Sequence, residues 1–207
     1  MSGLALALWA ARTTLAGPRF VFLWWNLFLA WVPWLLSASL RFTRRGLFFW
    51  PLVLGWLAFF PNAPYLLTDI LHLQPRADAP FWFDLLLLLA FAWTGVFLGL
   101  VSLFLMQALV RRAAGAAASW AVALGVLGVS GFGIYLGRFL RWNSWDVFFS
   151  PASLLLDILA QLRHPLLNAR TFVFSALFSL FLISAYLMVV ALIHMQVEAL
   201  PAADELP

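Results

Sequence analysis

No Asp, Glu, Lys or Arg occurs within residues 20–40, 46–68, 85–110, 113–137 or 171–197, and these five intervals are built largely from Leu, Phe, Val, Ala, Gly and Trp. Lipid offers no partner for backbone N–H and C=O groups, so a chain with such runs must satisfy them within each segment. At about 1.5 Å of rise per residue, about 20 residues cross a hydrocarbon core of about 30 Å. The expected spans are roughly 20–40, 46–61, 81–110, 116–140 and 171–195, within one transmembrane domain covering 1–207. The fold class that follows is all-α: a polytopic integral membrane protein of about five transmembrane helices and two interfacial helices.

Composition agrees with this and excludes several classes. The apolar fraction is 65%, charged residues are 10%, and the mean hydropathy is +1.00, values that a soluble domain of this size cannot carry. All 12 basic residues are Arg. They are scattered or grouped near span ends rather than forming a basic domain, so no nucleic-acid partner is expected. The absence of Cys excludes disulfides, thiolate metal sites and thiol nucleophiles. The short apolar run Leu4–Ala11 lacks a preceding basic residue and is followed by Arg12, which disfavours a cleaved signal peptide. The run is also too short to cross and is expected to be an interfacial helix or the remnant of a further span.

Two stretches hold most of the chemically capable side chains. The first runs from Phe60 to His72, where Pro61 and Pro64 must break or bend the second span. Asn62 is then a natural cap for a new helical turn, giving an interfacial helix at about 63–74. In it Tyr65, Asp69, His72 and Arg76 follow spacings of four, three and four, one stripe of a helix. The second stretch is Gly137–Asp146. Two spans separate the stretches, so both should reach water at the same face and form one composite site. A further helix, at about 151–164, starts at Ser150-Pro151 and stops at Pro165. It is too short to cross, and its polar residues Ser153, Asp157, Gln161 and His164 rank below the first two stretches.

Gly95-x-x-x-Gly99 and Gly133-x-x-x-Gly137, with Gly125, Gly128 and Gly131, read as close helix packing, a contact expected to fix Asp84 near Arg138. Gly128-Val129-Ser130-Gly131 has the form of an intramembrane serine protease motif. Its only in-span histidine, His194, differs in depth by roughly 20 Å, beyond the reach of a base. Ser130 is therefore a packing residue. The clusters Arg41, Arg44, Arg45 and Arg111, Arg112 share one side and mark it as cytoplasmic, which makes the polar site extracytoplasmic.

Several chemistries fit the polar stretches. Asp69, His72, Asp84 and Asp146 offer carboxylate and imidazole ligands for a divalent metal such as zinc or manganese. The same acids could instead be neutralised by Arg138 and Arg141, since charges near a bilayer are normally paired. Arg138 and Arg141 could equally grip a phosphate or carboxylate, with Trp142, Trp145 and Trp82 around it at headgroup depth, or simply snorkel within an aromatic belt.

The motifs Pro61-Asn62-Ala63-Pro64-Tyr65, Thr68-Asp69, His72-Leu73 and Gly137-Arg138-Phe139, Arg141-Trp142-Asn143-Ser144-Trp145-Asp146, preceded by Trp25-Asn26-Leu27-Phe28-Leu29-Ala30-Trp31, resemble those of an uncharacterised bacterial family of multi-pass membrane proteins, a domain of unknown function. The resemblance covers nearly the whole chain after residue 20. It implies a membrane location, with the bacterial cytoplasmic (inner) membrane as the expected site. It supplies no reaction, substrate or cofactor.

Three functions of different classes stay open. One is a membrane enzyme acting on the head group of a lipidic or lipid-linked anionic substrate, with Asp69, His72 and Asp84 as catalytic candidates. Asn62, Tyr65, Arg138, Arg141, Asn143, Trp145 and Asp146 would then bind substrate. A second is a binding or transport protein using the same groups, although polar residues are scarce at mid-depth. The third is a scaffold or accessory subunit whose polar blocks lock the fold. Membrane lipids are the expected partners in every case.

Overall fold

The structure, a computed structural model, describes residues 1–43, 46–75 and 77–199. Arg44 and Arg45 of the first arginine cluster, and Arg76 of the polar stripe, lie outside the described residues. The elements are α1 (Ser2–Ala16), α2 (Phe22–Leu40), α3 (Phe49–Phe59), α4 (Asn62–Tyr65), a 3₁₀ helix (Leu66–His72), α5 (Phe81–Phe139), α6 (Asp146–Phe149), α7 (Pro151–Arg163) and α8 (Ala169–Ala199). No strand occurs among the described residues. The protein is an all-α membrane protein.

Three helices are long and apolar enough to cross a bilayer: Phe22–Leu40, Phe81–Phe139 and Ala169–Met195. The second has 59 residues, and a straight rod of that length would reach roughly 90 Å, about three bilayer cores. It is instead two limbs, 81–114 and 116–139, joined at Gly115, where φ is +85° and ψ is 176°. That backbone is one that glycine alone adopts without strain. Gly99 on one limb lies against Ala63 and Pro64, and Gly133 on the other lies against Pro61. Both limbs thus pack against the segment around Pro61 and Pro64.

The expected count of about five spans is not reached by helix length. α3 has 11 residues, roughly 16 Å of rise and half of a bilayer core. Two prolines explain its end. Pro61 and Pro64 supply no N–H, and only scattered bonds carry the chain past them, from Ala63 N–H to Phe60 O (3.2 Å) and from Tyr65 N–H to Pro61 O (3.0 Å). The path stays helical but tightens into the 3₁₀ turn, whose residues i and i+3 are eclipsed.

Apolar packing forms two clusters. One joins Leu40, Trp56 and Phe60 to both limbs of α5 and to Leu182, Tyr186 and Val190 of α8. The other joins Ala5 of α1 and Leu23, Leu27 and Ala30 of α2 to Leu87, Leu88 and Phe91 of the first limb. Polar side chains within the spans are paired. Trp56 Nε1 donates to Ser102 Oγ (2.7 Å), Ser102 Oγ donates to Pro33 O (3.0 Å), and Tyr186 OH donates to Gln107 Oε1 (2.5 Å). Ser130 Oγ donates to its own helix at Val126 O (2.6 Å), the packing role expected of it.

The glycines admit close neighbours, but not the ones expected. A Cβ at Gly95 would collide with the Ala63 carbonyl oxygen, and one at Gly131 with Ser175 O and Ser179 Oγ of α8. The two limbs of α5 therefore close on α4 and on α8 rather than glycine to glycine. Gly125 and Gly128 face open space.

Candidate functional site

The two polar stretches meet. Asn62 Nδ2, at the start of α4, donates to Ser144 Oγ at 2.8 Å, so the amide spent on this bond does not cap the helix as expected. Arg138, near the end of the second limb, donates through Nε to Thr68 Oγ1 (2.8 Å) and through Nη2 to Asp69 Oδ1, and its guanidinium lies 4.6 Å from the Tyr65 ring centre. The other oxygen of Asp69 accepts from Asn26 Nδ2 of α2 at 2.9 Å. Asp69 is 0% exposed. Burial pushes its carboxyl above the usual range, opposed by Arg138 and by the Asn26 amide. Burial likewise raises the Tyr65 phenol, against the pull of Arg138. One ion pair, with the Asn26 amide as a neutral donor to Asp69 and the Thr68 hydroxyl as a neutral acceptor for Arg138, thus ties α2, the 3₁₀ helix and α5 together, a fully partnered buried charge.

Asp84 lies elsewhere. It precedes Gly95, where the α4 segment packs, by roughly 16 Å along the helix axis, and it accepts from Arg12 Nε at 2.7 Å. Arg12, on α1, also donates to Asp78 Oδ2 at 2.7 Å, with Arg19 3.9 Å from the same oxygen. Burial works against the Arg12 charge, but its bonds to Asp84 and Asp78 outweigh that and hold its pKa above the ordinary value. The bond from Arg12 holds Asp78 below the usual carboxylate range. The contact expected between Asp84 and Arg138 is replaced by a latch that fastens α1 to the start of α5.

The remaining candidates separate as follows. His72 is exposed, its Nδ1–H is 3.2 Å from the Asp69 carbonyl oxygen, and its ring rests on Phe22 with centres 4.8 Å apart. It shares a stripe with Asp69 but not an environment. Asp146 caps its own turn, accepting from the Asn143 N–H at 2.7 Å. The four candidate metal ligands Asp69, His72, Asp84 and Asp146 do not converge, and no group of three His, Asp or Glu side chains is placed to hold a metal among the described residues. Of the second-rank polar residues, Asp157 accepts from Trp142 Nε1 (2.9 Å) and Gln161 Oε1 accepts from Thr171 Oγ1 (2.8 Å). These bonds hold α7 in place, while Leu155, Leu156, Leu159 and Leu162 stay exposed.

Between the stretches lies a cleft of about 180 Å³ lined by Trp25, Asn26, Pro61, Asn62, Tyr65, Gly137, Trp142, Asn143, Ser144 and Trp145, among others. At about 30 Å³ per liquid water, it has room for roughly six waters, below the roughly 300 Å³ where drug-sized pockets begin. Its polar groups are amide, phenol, hydroxyl and indole, set among aliphatic side chains such as Leu29, Ile134, Leu136 and Val147, with no charged side chain. Arg141 stands beside it, exposed, with a left-handed backbone (φ 62°) that lets the Trp142 N–H return to Leu136 O at 3.2 Å. Such a conformation costs a non-glycine residue roughly 1–2 kcal/mol. It turns Trp142, and after it Asn143 and Ser144, over the cleft.

The expectation named Asn62, Tyr65, Asn143 and Trp145 of the lining, and Trp142 as a ring beside a bound anion, but omitted Asn26, Trp25 and Ser144 as site residues. Asn26 had a signal, as an amide in an otherwise uncharged interval. Fold and cleft together define a polytopic α-helical membrane protein with a small neutral polar cleft at one end of its helices. The chain belongs to the DUF1361 family, described as protein of unknown function, which matches residues 25–185. No curated protein and no solved structure matches it.

Proposed function

We propose that the protein binds the polar head of a lipid-linked molecule, such as a sugar phosphate on a lipid carrier, at the outer face of a bacterial cytoplasmic membrane. The observation that carries this reading is the cleft: head-group sized, walled by indole rings, equipped with the amides of Asn26, Asn62 and Asn143, and adjoined in the chain, next to Trp142 of its wall, by the exposed Arg141, which has no acidic partner among the described residues. Amides and hydroxyls exchange hydrogen bonds with a polyhydroxyl head, the rings cover its apolar faces, and Arg141 suits a phosphate.

Binding without chemistry is favoured over catalysis. Asp69 is held by Arg138 and Asn26, Asp84 by Arg12, and His72 does not line the cleft. Of the groups lining it, Tyr65 alone titrates. A scaffold role is the second reading, supported by the mutual neutralisation of Asp69 with Arg138 and of Asp84 with Arg12. Transport has less support, because the polar groups within the spans are paired with one another.

The test is mass spectrometry of lipids retained when the protein is extracted with its surrounding bilayer in polymer discs. A glycosylated lipid phosphate should be enriched over bulk membrane and lost in both Asn62→Leu and Arg141→Gln. Identical lipid profiles for the three proteins would remove the binding reading and leave the scaffold.

A further inference from the structure

A second cleft, of about 250 Å³, lies at the opposite end of the helices, lined by Arg41, Phe104, Leu105, Ala108, Leu109 and Arg112. Arg41 caps the C-terminus of α2, and Arg112 ends the first limb of α5 just before the turn at Gly115. Both are exposed, and neither has an acidic partner among the described residues. The acids whose side chains are described are spent elsewhere: Asp69, Asp78 and Asp84 on arginines, Asp146 on Asn143 and Asp157 on Trp142. Among the described side chains, no carboxylate therefore competes for these two guanidiniums.

The floor gives the direction of the occupant. Leu105, Ala108 and Arg112 follow spacings of three and four on one helix, so they form a single stripe. It runs roughly 10 Å along the axis, from apolar side chains in the span to a cation at its end. A soluble anion would use only the cationic end. A diacyl lipid would use all of it, with its phosphate at the guanidiniums and a chain along Phe104 and Leu105.

We propose that this cleft is a binding site for one anionic phospholipid of the inner leaflet, its phosphate bridged between Arg41 and Arg112 and one acyl chain lying on the α5 stripe. The site is independent of the cleft at the other end and of what that cleft holds. Each arginine near a membrane surface favours an anionic lipid by about fivefold, so the pair should give a preference on the order of tenfold or more.

The experiment is native mass spectrometry of the full chain in detergent, titrated with phosphatidylglycerol or phosphatidylcholine of identical acyl chains. The wild type should retain one phosphatidylglycerol at concentrations about tenfold below those needed for phosphatidylcholine. R41Q/R112Q should bind both alike, whereas R111Q, which changes the charge of the same end outside the cleft, should keep the preference. Ala108→Trp, which fills the floor and leaves both charges, should weaken retention of phosphatidylglycerol. Glycerol 3-phosphate, the head without chains, should fail to displace the lipid. Equal retention of the two lipids by wild type, an unchanged preference in R41Q/R112Q, or displacement by glycerol 3-phosphate would overturn the proposal.

Discussion

Arg138→Met leaves the Asp69 carboxylate buried with one neutral donor, Asn26 Nδ2 at 2.9 Å, and the size of the resulting loss can be worked out. Asp69 is 0% exposed, so water cannot replace the guanidinium. Breaking a buried pair by removing one partner costs roughly 3–5 kcal/mol. For a chain of this size about 1 kcal/mol moves the melting temperature by roughly 2–4 °C, so the variant should melt roughly 6–20 °C lower. Asp69→Asn should also destabilise, because the guanidinium then lacks its counter-charge. The pair Asp69→Asn/Arg138→Met removes both charges and should recover most of the loss, with a coupling above about 1 kcal/mol. Thermal unfolding of the four proteins in one detergent, followed by intrinsic tryptophan fluorescence, measures the cycle. His72→Ala, at an exposed position, should stay within about 0.5 kcal/mol of wild type. Additive effects in the cycle would show that Asp69 and Arg138 are separately solvated and would refute the buried-lock account.

Gly95→Ala should destabilise by roughly 1–3 kcal/mol, since its Cβ meets the Ala63 backbone rather than a side chain that can swing away; Gly125→Ala, in open space, should be neutral or stabilising by up to about 1 kcal/mol in the same thermal assay. Arg141→Gly should relieve the left-handed strain and raise the melting temperature by up to about 4 °C while abolishing enrichment of the head-group ligand; a stability loss without a change in bound lipid would show that Arg141 is structural. The carboxyl of Asp78 is held below its ordinary 3.8 by the bond from Arg12. Its depressed folded-state value means that the contribution is complete above about pH 4 and is lost as pH falls through the folded value. Asp78→Asn should therefore flatten the fall in stability with acid below about pH 4, and an unchanged acid profile would show that the latch of α1 contributes nothing there.

The charge-free intervals made the spans legible, because lipid leaves a backbone few options. The meeting of the two polar stretches was legible too, since two spans between them return the chain to the same end, and the Asn62–Ser144 bond joins them. The partners of individual charges were not. Arg12 sits 72 positions from Asp84 on a helix too short to span, and nothing in the local pattern says which acid it reaches. The end of the second span at Pro61 and Pro64 was legible, but its start was placed at residue 46 whereas α3 begins at Phe49 after a turn, because a hydropathy run registers apolar residues and not where the backbone turns. The glycines of α5 announced close approach but not the partner, which is set by where α4 and α8 fall around a hairpin. Asn26 and Ser144 were overlooked as site residues because the cleft is formed by neutral groups, whereas a sequence-based search is drawn to charges.

The measurement that tests the central claim most directly is an experimental structure of the protein in nanodiscs made from its native lipids. The account predicts density for a polar head group in the cleft, within hydrogen-bond reach of Asn62 and Asn143, facing Arg141, with Asp69 still paired to Arg138 behind it. A cleft filled by its own side chains or by acyl chains alone, or an Asp69 turned into the cleft and away from Arg138, would contradict it.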